Sequence, residues 1–202
     1  HAMGNGPGRL EEYVQLFYSS KQFMGGCIWE WADHSVYDEN AKYKWTYGGD
    51  HGETLHDGNF CVDGLFYPDR TPSSGALEMK VCYRPIRATY LGNNSFELWN
   101  TKYFKDSSDT EISYAVLVNG NVESEGKIED VIAPDSKITV KINCPECDKD
   151  VFVNFTYRNK ADGNEIAVEQ VIISESEIRN SISDKTANIK DSGKTIDVTF
   201  KN

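Results

Sequence analysis

From Arg84-Pro85 to Ser174, hydrophobic and polar residues alternate with period two. Ile112, Tyr114, Val116 and Val118 form one series, Ile138, Val140 and Ile142 a second, and Val151, Val153, Phe155 and Tyr157 a third. Successive side chains of an extended segment point to opposite faces, so each series marks a strand with one face on a core. Turn residues punctuate the series at Asn93-Asn94, Asp106 to Asp109, Asn119-Gly120, Pro134-Asp135 and Asp162-Gly163. Asn-Gly between alternating runs is the sharpest short-range signature of a hairpin. About seven short strands at this spacing predict an antiparallel β-sandwich of immunoglobulin-like type over residues 84–175.

The pattern before Arg84 has a different period. Leu10, Tyr13, Val14 and Phe17 repeat at helical spacing behind Asn5-Gly6-Pro7, a capping residue followed by proline where no amide is needed. This predicts a helix running to about Lys21 or Gln22. Cys27-Ile28-Trp29-Glu30-Trp31 shows no alternation, as expected of a parallel strand covered on both faces. Residues 33–67 are rich in Gly, Asp, His and aromatics, and a connection of that length points to function. A turn at Pro68 to Pro72 precedes the start of a helix over Ala76 to Val81. Helix, strand, long loop and helix make a β/α sequence, in which the loop leaves the carboxyl end of the strand, where α/β barrels build their sites. Beyond the alternating region, Glu175 to Ile182 reads as a polar linker. Asn188 to Lys190 and Ile196 to Phe200, joined by Asp191-Ser192-Gly193, read as one hairpin. A lone hairpin is marginal in water, so residues 176–202 are expected to open a further β domain.

Composition narrows the partners. The chain has 202 residues and a formal net charge of −11, with 21 basic against 32 acidic residues. No Lys/Arg cluster offers the basic face that a nucleic acid requires. No apolar run approaches the length that crosses a bilayer. The five cysteines do not form the even framework of a disulfide scaffold. Cys27 and Cys61 lie in apolar runs and read as buried free thiols, which favours a reducing compartment, the cytoplasm. Cys144-Pro-Glu-Cys147 has the spacing of half a zinc site or a redox pair. No second pair follows and it stands between strands, so it reads as a surface loop with two thiols. His34, His51 and His56 share the long loop with several acids but lack fixed ligand spacing. Without that spacing they read as polar loop residues and not as a transition-metal cluster.

Three segments carry a resemblance. They are His1 to Gly8 (H-A-M-G-N-G-P-G), Gly25 to His34 (G-G-C-I-W-E-W-A-D-H), and Trp45 to Pro72 (W-T-Y-G-G-D-H-G-E…H-D-G-N-F-C-V-D-G-L-F-Y-P-D-R-T-P). Together they resemble bacterial β-galactosidases of the glycoside hydrolase 2 class. The resemblance implies that residues 1–83 are the last β/α units of a TIM barrel, that 84–175 are the sandwich that follows it, and that 176–202 begin the next domain. It implies retaining hydrolysis of terminal β-galactosides, such as lactose, by two carboxyl groups. The family places both before the position of His1, so no catalytic residue is assigned here and the chain alone is expected to be inactive. Substrate-binding roles fall on His1, which matches a histidine bonding a galactose hydroxyl, and on Trp29, which matches the tryptophan packed against the sugar. Strand order alone would put Trp31 nearer the barrel mouth, but the resemblance selects the first tryptophan of the pair. Phe60, through its carbonyl, and Asp63 match a sodium site, with Asp where well-studied members carry Asn. Magnesium is expected in the part of the barrel ahead of His1, and a homo-oligomer for the intact enzyme. Thr71-Pro72-Ser73-Ser74-Gly75 departs from the family's Thr-Pro-His-Pro-Gly and is expected to loosen that turn, and His56 stands where Asn is common. The alternative reading is a non-catalytic carbohydrate-binding or structural β-sandwich module.

Overall fold

The computed structural model describes residues 8–176, 187–191, 193 and 195–200. The Asn5-Gly6-Pro7 cap and His1 lie outside the described residues. Helix α1 spans Leu10–Ser19 and begins after Arg9, which stands in the left-handed region at φ 67°. It therefore starts later than the sequence pattern suggests and stops two or three residues earlier, where Ser20 turns extended at φ −150°. Ser20 Oγ accepts from Gln22 N–H and closes the turn that follows. Glu11 and Glu12 occupy the first turn, where carboxylates meet the positive end of the helix dipole.

Two short strands, β1 (Val36–Tyr37) and β2 (Trp45–Thr46), pair as a small hairpin in the long loop. Helix α2 spans Ser74–Cys82. Its cap is Ser73, whose hydroxyl accepts from Gly75 N–H at 3.1 Å. The Ser73-Ser74 departure thus supplies a helix cap.

The rest is mostly β. Strands β3 (Ile86–Gly92), β4 (Ser95–Asn100) and β7 (Ser136–Lys141) form one antiparallel sheet in the order β3-β4-β7. Strands β5 (Thr110–Val118), β6 (Asn121–Ile128), β8 (Val151–Asn159) and β9 (Glu165–Ser174) form a second, in the order β6-β5-β8-β9. Both sheets are open, and one core joins them. Ile86, Phe96 and Leu98 meet Ile112, Val116, Val151, Val153, Phe155 and Tyr157 there, all buried. The inward series read from the alternation of β8 is therefore the centre of the core. The hairpin residues do what their dihedrals require: Asn119 and Gly120 have φ 47° and 79°, matching the twist of a two-residue β5–β6 turn. Strands β10 (Ala187–Asp191) and β11 (Ile196–Phe200) pair with each other.

A polar cluster ties α1 and the end of α2 to the sheets. Arg84 pairs with Glu11 at 3.1 Å and with Glu169 at 2.6 Å. Arg87 pairs with Glu11 and donates to Cys82 O at 3.1 Å. Glu169 also accepts from Tyr157 O–H at 2.9 Å and from Ala88 N–H at 2.8 Å. Tyr18 of α1 meets Trp99 of β4 edge-on at 5.0 Å between ring centres.

Two cysteine assignments are corrected. Cys27 is exposed and Cys61 half-buried. The Cys27–Trp31 run is not covered on both faces, since Cys27, Trp29 and Trp31 are exposed. Cys144 and Cys147 are not a surface pair: Cys144 belongs to the core, with Sγ donating to Ile142 O, and Cys147 is exposed. Burial raises the Cys144 thiol. Burial, reinforced by the bond from Cys82 Sγ to Glu78 Oε1, pushes Cys82 up to about 12. Thiolate is the reactive form. Iodoacetamide on the native chain is expected to label Cys27 and Cys147 fastest and to leave Cys82 and Cys144 unmodified until denaturant is added. Peptide mass spectrometry that finds Cys82 alkylated as fast as Cys147 would contradict this.

Candidate functional site

The site is built where the Cys27–Asp33 run meets residues 61–66. No regular strand forms over 27–31, contrary to the sequence expectation. A strand needs a partner along its edge, and here the pairing reduces to one parallel bridge between Ala32 and Phe66 with hydrogen bonds around it. Leu65 N–H donates to Glu30 O, Phe66 N–H to Trp31 O and Asp33 N–H to Phe66 O, each at 2.9 Å. His34 N–H donates to Cys61 O at 2.6 Å. Gly64 N–H donates to the Asp33 carboxylate at 2.8 Å. The two segments approach closely because residue 64 is glycine: a Cβ there would stand 2.4 Å from both Ala32 C and Asp33 N. The ladder continues through Ser73 N–H to Leu65 O at 3.0 Å, so the strip is joined to the capped start of α2.

This zipper places Trp29 and Asp63 on adjoining strips. Trp29 is 59% exposed. Trp31 is also exposed, but its ring packs on Phe66 at 4.6 Å. The Trp29-Glu30 peptide is cis. Glu30 pairs with His34, Oε2 to Nε2 at 3.1 Å. Asp63 is 1% exposed, whereas the Phe60 ring is exposed in the turn just before it. A buried carboxylate three residues from a turn carbonyl supplies two hard oxygens, the ligand type that hard cations take. The set is incomplete by itself, since such cations use about six or more oxygens.

The long loop is held by its own polar groups. Thr46 Oγ1 donates to Val36 O at 3.0 Å and lies 2.7 Å from His51 Nε2. The hydroxyl has one proton to give, so Nε2 carries the hydrogen in the second contact. His56 Nδ1 accepts from Gly58 N–H at 3.1 Å. A Cβ on Gly48 would meet Gly58 O at 2.7 Å, and one on Gly49, at φ 96°, would meet the His56 ring at 2.8 Å. Glu53 accepts from Gly49 N–H at 2.7 Å and His51 N–H at 3.0 Å. Backbone donation, from Gly49 first, lowers its pKa. The three histidines are thus spent on separate contacts. Among the described residues no group of three or more His, Cys, Asp or Glu is placed to hold a metal.

Glu53, Asp69, Asp106, Asp109, Glu111, Asp150 and Glu165 have pKa values that depart clearly from the ordinary ones, all downward. Hydrogen bonds to the charged form are the leading cause in each. A general acid needs the opposite shift. Asp33 and Glu30 shape the site, yet sequence reasoning gave neither a role. Nothing in the spacing of an acid two residues after Trp31 announces a bond to an amide 31 positions away.

A family model described as glycosyl hydrolases family 2, TIM barrel domain, matches residues 1–88. One described as beta-galactosidase, domain 4, matches residues 96–175. A curated beta-galactosidase of Actinobacillus pleuropneumoniae is 41% identical over 160 residues, which is 78% of this chain and 16% of that protein. One from Pseudoalteromonas haloplanktis is 34% identical over 152 residues, 70% of this chain and 15% of that one. One from Staphylococcus xylosus is 49% identical over 90 residues, 43% of this chain and 9% of that one. The chain spans about a sixth or less of the length of these relatives. No helix among the described residues is long and apolar enough to cross a membrane.

Proposed function

This chain belongs to the β-galactosidases of glycosyl hydrolase family 2, and from that premise we propose that it forms part of the galactose-binding wall of an enzyme that hydrolyses terminal β-galactosides with retention. In that reading two carboxyl groups outside these residues act as nucleophile and as acid/base. Trp29 supplies a flat apolar surface for the C–H face of the sugar and keeps water from it. His1 bonds a galactose hydroxyl. The Phe60 carbonyl and the Asp63 carboxylate would hold a sodium ion, which would supply positive charge beside the sugar. Residues 1–83 close the barrel, 84–175 form an immunoglobulin-type sandwich that serves as spacer, and 176–202 open a further β domain.

The observation that carries this reading is the exposed Trp29 ring on a strip zipped to the strip of buried Asp63. The second reading is a non-catalytic sugar-binding or structural module, to which the two open sheets and their shared core would belong. Site-directed variants of the full-length protein separate the two. Trp29→Ala is expected to lower kcat/KM for a β-galactoside by about 1–3 kcal/mol in transition-state binding, the scale of one large apolar side chain, with little change in Tm. Trp31→Ala, which loses the packing on Phe66, is expected to act mainly through Tm. Activity lost in Trp31→Ala at constant Tm, with Trp29→Ala intact, would reverse the assignment. A parent without any galactosidase turnover would favour the second reading.

A further inference from the structure

Asp33 has two bonds to the opposite strip, one from its backbone and one from its side chain. Its N–H donates to Phe66 O at 2.9 Å and its carboxylate accepts from Gly64 N–H at 2.8 Å. The neighbouring rungs, at Leu65 and Phe66, end on backbone carbonyls, so the rung at Gly64 is the one that a side chain makes. Gly64 directly follows Asp63, and Asp33 lies four residues after Trp29. With no Cβ at 64 the two strips approach closely, and the carboxylate is the side-chain contact that holds the Gly64 amide there. We propose that Asp33 is a positioning residue for galactoside binding, fixing the separation between the Trp29 surface and the Asp63 turn through Gly64 N–H. It touches no sugar itself. The role rests on the reading of this strip as a galactose wall.

The bond needs an acceptor oxygen at the carboxylate position and does not need the charge. In the full-length protein, Asp33→Ala is expected to weaken galactose binding in calorimetry about tenfold. KM for a β-galactoside should rise by a similar factor while kcat changes about threefold or less, as expected when a charge-assisted hydrogen bond that positions a ligand is lost. Asp33→Asn keeps the amide oxygen in place and should restore affinity to within about threefold of the parent. Asp33→Ser, polar but too short to reach Gly64, should behave as alanine does and stands in if Asp33→Ala fails to fold. Melting temperatures accompany each measurement. Parent-like galactose affinity in Asp33→Ala or Asp33→Ser overturns the role, as does Asp33→Asn that is folded and as weak as alanine. A parent that binds no galactose sinks the functional reading itself and this role with it, which separates the two failures.

Discussion

Replacing Glu169 with alanine is expected to lower the unfolding free energy of the chain by about 3–5 kcal/mol, the cost of removing one partner from a buried ion pair. The carboxylate is 8% exposed and serves three donors: Arg84 at 2.6 Å, Tyr157 O–H at 2.9 Å and Ala88 N–H at 2.8 Å. Without it, Arg84 and Arg87, each 9% exposed, share the single carboxylate of Glu11. The Tyr157 hydroxyl, in the fully buried centre of the core, loses its acceptor. Burial already lowers the Arg87 pKa, and Glu169 is the first influence opposing that. Glu169→Gln keeps an acceptor for Tyr157 and Ala88 but loses the charge and turns a donor NH2 toward Arg84, so about half the alanine loss is expected. Glu11→Ala should cost less than Glu169→Ala, because Glu11 is nearer solvent. The double variant should exceed the sum, since each single variant leaves Arg84 the other acid while the double removes both from the two buried guanidiniums. Urea unfolding of the 202-residue chain at neutral pH measures all four. A Glu169→Ala loss under about 1 kcal/mol, no more than a surface ion pair contributes, would mean the cluster does not hold α1 to the sheets.

That cluster could not be read from the sequence, and the reason is physical. Arg84 and Glu169 are 85 positions apart, and a charged residue looks solvated until the fold brings it under a helix. Asn100 is a similar case. Asparagine suggests a turn, yet this one is fully buried and donates to Lys105 O, Ile132 O and Ala133 O. What repeats locally was legible. The alternation of Val151 to Tyr157 marks four fully buried side chains, and Asn119-Gly120 marks its hairpin. The same logic fails at Cys27 to Trp31. An apolar run promises burial only when neighbours lie on both sides, and here Cys27, Trp29 and Trp31 face outward. The resemblance gave Trp29 a sugar-binding role and Asp63 a sodium-binding role, as expectations. It could not show that Asp33 and Gly64 join them, because that bond depends on register between two irregular segments.

The register is also the most sensitive feature of the site, and Gly64→Ala is expected to break it. The added Cβ would meet Ala32 C and Asp33 N at 2.4 Å, and both atoms are backbone, so no side chain can swing aside. Overpacking of this kind costs about 1–3 kcal/mol and sometimes more. The strain can be relieved by parting the strips, which breaks the bonds of Gly64 to Asp33, Leu65 to Glu30 and Phe66 to Trp31. Gly26→Ala is the control. Its Cβ would meet the Phe17 ring at 2.8 Å, and a ring can rotate away. In hydrogen exchange on the 202-residue chain, the Leu65 and Phe66 amides of Gly64→Ala are expected to exchange about 5- to 150-fold faster than in the parent, the response to a local opening made easier by about 1–3 kcal/mol. Gly26→Ala should leave those amides protected. In the full-length protein the same substitution at Gly64 is expected to remove most galactoside turnover, because the Trp29 strip and the Asp63 turn no longer hold a fixed spacing. Protection at Leu65 and Phe66 that survives Gly64→Ala would mean that the strips tolerate a side chain between them, and that their close approach is not what sets the geometry of the sugar wall.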